Sequence, residues 1–92
     1  MSNTEEIVKE IDTFKNSLKQ YISYDSQVGG LVSKSIKNLE DAQELLKEDT
    51  FKNSQEAYVK VQTVRDALTP YVSYVPEMVR TLNLLLEKVS KL

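Results

Sequence analysis

The chain has no cysteine, no histidine and no tryptophan, and each absence closes off a class of chemistry. Without cysteine there is no disulfide, no thiolate nucleophile and no Cys-ligated zinc, a composition that fits a reducing, cytoplasmic compartment. Without histidine the commonest general base and transition-metal ligand are gone, and the Glu-x-x-His pairs of di-iron bundles cannot be written. The opening Met1-Ser2-Asn3-Thr4-Glu5-Glu6 is polar and acidic rather than basic and then apolar, unlike a targeting segment. No apolar run approaches the roughly 20 residues that cross a bilayer, so no transmembrane segment is expected. Twelve basic against fourteen acidic residues leave a net charge of -2, which predicts no general attraction to nucleic acid or anionic lipid.

Glycine and proline are also scarce, two of each, while Leu, Lys, Glu, Gln and Ala are plentiful, so local preference leans to helix almost throughout. Ninety-two residues with 40% hydrophobic and 28% charged side chains suit one all-α domain spanning 1–92.

The periodicity predicts four helices. In the first, Ile7, Ile11, Phe14, Leu18 and Tyr21 form one continuous stripe. Ser2 or Asn3 can cap it, with Glu5 or Glu6 completing a capping box. Tyr24-Asp25-Ser26 reads as a break, and Gly29-Gly30 as a turn. The second helix, starting near Val28 or Leu31 and ending near Lys47, sets Val32, Ile36, Leu39, Ala42 and Leu46 against a charged opposite side. Asp49 or Thr50 can cap the third, and Asn53 with Glu56 offers a second possible start. That helix carries Phe51, Tyr58, Val61, Val64 and Leu68, and Pro70 should end or kink it. Pro76 fits the first turn of the fourth, in which Met78, Val79, Leu82, Leu85, Leu86 and Val89 fall in register, with Leu84 off the stripe.

The string DTFKNS occurs twice, at 12–17 and 49–54. We read it as one helical phrase packed alike in both copies, Phe14 with Tyr21 and Phe51 with Tyr58 each two turns apart, rather than as a duplicated binding site. A second echo, Tyr21-Ile22-Ser23-Tyr24 against Tyr71-Val72-Ser73-Tyr74, has a different offset. This longer offset aligns the apolar positions better, placing Ile11 on Val61, Phe14 on Val64, Leu18 on Leu68, Tyr21 on Tyr71 and Ile22 on Val72. It predicts a helical hairpin used twice, 1–48 and 49–92, closing into an antiparallel four-helix bundle, with DTFKNS as shared helix-surface vocabulary.

Catalytic signatures are missing. Gly29-Gly30 is followed by no Lys-Ser/Thr and preceded by no strand, so it is no phosphate loop. No serine sits in a nucleophile-elbow context, and no pattern brings paired acids to one site. The chain is therefore expected to be no enzyme and to hold no cofactor. Asp41, Glu44 and Glu48, with Glu40 beside them, share a face of the second helix. A solvated helix side salted by Lys37 and Lys47 accounts for them, and a divalent-metal site is the sharper alternative.

Two features point to partners. Tyr21, Tyr24, Tyr71 and Tyr74 stand near two equivalent helix ends, where they form either a rim clothed with hydroxyls or a partner-binding surface. Apolar residues of the fourth helix, Met78, Leu84 and Leu85 among them, cover more of its surface than one core-facing stripe needs. Arg65-Asp66-Ala67-Leu68-Thr69-Pro70, followed by Val75-Pro76, Arg80, Leu82 and Asn83, resembles the last two helices of bacteriocin immunity proteins. That resemblance implies a small cytosolic four-helix bundle that acts on a toxin. The helical-hairpin proteins of type VII secretion have a similar shape but turn at a Trp-x-Gly, which a tryptophan-free chain cannot contain. The leading expectation is a non-enzymatic helical interaction module that binds another protein, or itself, through the fourth helix and the tyrosine-bearing end. An immunity-like or secretion-chaperone-like bundle and a metal-binding bundle are the alternatives.

Overall fold

A computed structural model describes residues 3–21 and 26–92. Among the described residues the chain is all-helical, with four α-helices: α1 (Asn3–Lys19), α2 (Ser26–Lys47), α3 (Phe51–Leu68) and α4 (Pro76–Ser90). The expected Ser2 cap, the break at Tyr24-Asp25 and the Ile22-Ser23-Tyr24 part of the second echo lie outside the described residues.

Each helix packs on its sequence neighbours and α4 closes on α1, an arrangement consistent with a bundle. The 22 residues of α2 span about 33 Å at 1.5 Å each, so its axis runs along the 38 Å dimension of a body 20 Å across. The core is one cluster in which α1 places Ile7, Ile11, Phe14 and Leu18, α2 Val32, Leu39, Ala42 and Leu46, α3 Ala57, Val61, Val64 and Leu68, and α4 Leu82, Leu85, Leu86 and Val89.

Helix boundaries follow from local chemistry. The Oγ1 of Thr50 accepts a hydrogen bond from the Asn53 amide at 3.1 Å, satisfying an orphan donor of the first turn, so Thr50 is the N-cap of α3. Asn53 is therefore not a second start. Its Nδ2 donates to the Leu45 carbonyl at 3.0 Å, tying the start of α3 to an otherwise unpaired carbonyl of the last turn of α2. Pro70 sits in a short 3-10 turn, Thr69–Tyr71, and Pro76 opens α4, so α3 and α4 are separate helices.

The sequence-based turn at Gly29-Gly30 is corrected, since both glycines lie inside α2 and no described residue has positive φ. Each glycine costs a helix about 1 kcal/mol relative to alanine. Val28, Leu31 and Val32 pack against the core around them, and that burial outweighs the local preference.

The reading of DTFKNS is corrected as well. Phe14 is 4% exposed in the core, whereas Phe51 is 73% exposed in the first turn of α3. Phe51 shares an outward face with Gln55 and Val59, while Ser54, Ala57 and Val61 take the inward positions. Burial instead follows the longer offset: Thr4, Ile7, Ile11, Phe14 and Leu18 are buried, as are Ser54, Ala57, Val61, Val64 and Leu68. The same holds for Val32, Ser35 and Leu39 against Leu82, Leu85 and Val89.

Three side chains lock neighbouring helices in register. Gln43, largely buried, donates through Nε2 to the Val8 carbonyl at 2.9 Å. Lys15 lays its stem against the protein and brings Nζ to 3.5 Å from Asp12 and 3.7 Å from Glu40. Lys60 on α3 reaches Asp41 on α2 at 3.7 Å.

A Cβ at Gly30 meets nothing within 4 Å, so Gly30→Ala should stabilise by about 0.5–1 kcal/mol and raise Tm by about 2–8 °C. A lowered Tm would contradict a helical Gly30. Phe14→Ala should cost about 3–5 kcal/mol and Phe51→Ala under about 0.5 kcal/mol in urea unfolding, and comparable losses would restore the idea of equivalent copies.

Candidate partner-binding face

The apolar breadth of α4 divides in two on folding. Leu82, Leu85, Leu86 and Val89 are buried and Met78 and Val79 half-buried, which accounts for most of the excess noted in the sequence. Leu84 remains, 54% exposed on the outer side of the helix. Leu85, expected on the partner-binding surface, is corrected to a core residue, because one step of about 100° from Leu84 carries it inward.

Leu84 stands on the wall of a groove between α4 and α1, helices that touch more sparsely than any other neighbouring pair. Phe14 and Leu85 form its floor, Thr13 and Ser17 line the α1 side, and Met78, Thr81 and Leu84 line the α4 side. Lys88 pairs with Glu10 across one end. The hydrogen bond to Glu10 raises the pKa of the Lys88 ammonium above its ordinary 10.5; desolvation opposes this, and the charges of Glu10 and Glu6 reinforce it.

At its other end the groove reaches the tyrosines. Tyr21 and Tyr74 line it and also line an adjoining apolar cleft at the end of the bundle, together with Tyr71, Leu31 and Val28. Three of the four tyrosines named from the sequence thus gather at one end, Tyr21 and Tyr71 half-buried and Tyr74 83% exposed. Tyr24 lies outside the described residues.

The acids expected on one face of the second helix go to different partners, and Glu48 lies just beyond the end of α2. Asp41 faces Lys60, Glu44 pairs with Lys47 at 2.8 Å, and Glu48 accepts from Asn53. Among the described residues no group of three or more acids gathers where it could hold a metal ion.

Sequence reasoning missed the exposed Phe51 and Val59 of α3. The longer repeat offset held the signal, since it sets Val59 against Lys9 and Leu84 against Lys34, both exposed. Two surface positions that carry lysine in the first half therefore carry aliphatic side chains in the second.

No protein-family model, curated protein or solved structure matches the chain.

A raised folded-state pKa means that the Lys88–Glu10 pair contributes fully below the unfolded lysine value and loses its contribution as pH rises through the folded one. Thermal melts of wild type and Lys88→Met should therefore differ by a constant amount at about pH 8–10 and converge only above about 10.5. Convergence at lower pH would contradict the assigned shift.

Proposed function

We propose that the chain is a non-enzymatic helical interaction module that binds another protein, or a second copy of itself, through the α4 surface around Leu84. The observation that carries this reading is Leu84 itself, a half-exposed leucine beside a groove, at a position whose counterpart in the first half is the solvated Lys34. An aliphatic side chain there contributes little to the core and costs solubility, and burying its exposed half in a complex is worth about 1–1.5 kcal/mol. Grooves between packed helices accept amphipathic helices, whose apolar anchors recur every three to four residues. Tyr74 extends the same face toward the bundle end with a ring suited to half-wet interfaces.

The underlying architecture is proposed as two antiparallel hairpins, 1–48 and 49–92. The order of the cross-helix pairs supports it. Val8 meets Gln43 while the later Lys15 meets the earlier Glu40. Asn53 meets Leu45 while Lys60 meets Asp41. Glu10 meets Lys88 while Tyr21 shares a groove with Met78. The matching burial of the two halves supports a repeat, which would leave the second copy's surface free to diverge toward binding.

The test is Leu84→Glu, with helicity verified by circular dichroism. Binding by the wild type, whether a protein retained from host lysate or self-association in light scattering, should weaken in the variant by about 2 kcal/mol, or about thirtyfold. Binding of equal strength in the two proteins would sink the assignment of this face.

A further inference from the structure

We infer that the partner of this face is a second copy of the chain, docked antiparallel along α4 on a two-fold axis at Leu84; this rests on the reading of the α4 face given above. Glu77, Leu84 and Lys91 are each exposed and fall two turns apart, so they form a line along the outside of the helix. Arg80 and Glu87, also exposed, flank that line on one side. From the N-terminal end the charges run negative, positive, then beyond Leu84 negative, positive. A half-turn about Leu84 exchanges the two ends. It sets Glu77 opposite Lys91 of the second copy and Arg80 opposite Glu87 of the second copy, and each pair occurs twice. A parallel arrangement would instead stack Glu77 on Glu77 and Lys91 on Lys91, which like-charge repulsion disfavours.

Among the described residues these four charges pair, within one chain, only along α4 and its C-cap, Glu77 with Arg80 at 3.4 Å and Glu87 with Lys91 at 3.2 Å. Exposed pairs of this kind are worth little, so exchange for intermolecular pairs meets little opposition. Leu84 lies at the axis, where the two leucines cover each other and press on Thr81 at the groove wall. The 15 residues of α4 make a seam about 22 Å long, and a contact along one helix face of that length belongs with the small interfaces, under roughly 1,200 Å², typical of weak association. The association is therefore weak, with a dissociation constant on the order of 100 μM, and it weakens as salt rises.

Sedimentation equilibrium of the full chain, from about 20 μM to 1 mM in about 50 mM salt, tests this directly. The wild type should pass from monomer to dimer across that range. Lys91→Glu should weaken the dimer about tenfold, and Glu77→Lys combined with Lys91→Glu should restore it to within about threefold, because the swap recreates both intermolecular 77–91 pairs and leaves Arg80 opposite Glu87. Val59→Glu, on the outer face of α3, should leave the wild-type association unchanged. A wild type that stays monomeric, a double variant no tighter than Lys91→Glu, or dissociation by Val59→Glu would each overturn the proposal. If the wild type is monomeric but still retains another protein in a Leu84-dependent way, the self-partner is wrong while the α4 face stands. If neither binding is seen, both readings fall.

Discussion

Ile11, Leu39, Val61 and Leu82, one residue from each helix, are wholly withdrawn from water, and the remaining structure depends on keeping them so. A chain of this size with no disulfide has few other sources of stability. Most of the stability of its helices comes from packing of their apolar stripes rather than from propensity. That constraint explains how α2 runs unbroken through Gly29-Gly30. The valines and leucine around the glycines gain more from the core than the glycines lose from an open turn.

Polar groups then sharpen what apolar burial leaves loosely defined. Hydrophobic contact is non-directional and by itself tolerates sliding of one helix along another. The Gln43 amide on the Val8 carbonyl, the Lys15 ammonium between Asp12 and Glu40, and the Asn53 amide on the Leu45 carbonyl each demand a particular register. They concentrate on the α1–α2 and α2–α3 contacts. The α1–α4 seam has the Glu10–Lys88 pair and a groove lined by Phe14, Leu84 and Leu85.

The residues of α4 divide between core and surface. A helix in a small bundle needs one apolar stripe, and the residues of α4 that meet this need are buried. Leu84 is left over, in line with acidic and basic residues whose order reverses sign about it. The acids of α2, and Glu48 just beyond it, are each paired with a lysine or an amide.

The helix count, the break at Pro70, the opening of α4 at Pro76 and the capping role of Thr50 were legible in the sequence, because each rests on spacing or on the covalent nature of one residue. So were the inward positions of α1, where a strict alternation of three and four leaves no choice of face. Phe51, Leu85 and the two glycines were misread for a common reason. A string or an apolar letter records what a side chain prefers, while its place depends on which neighbouring helix occupies the space beside it. Phe51 begins a helix with its ring largely exposed, Leu85 turns inward, and Gly29-Gly30 are flanked by residues the core holds. Amphipathic helices were already written into the order of the residues, since periodicity is a property of the chain. Which apolar residues stay in contact with water was settled by packing, because burial depends on the company a residue keeps.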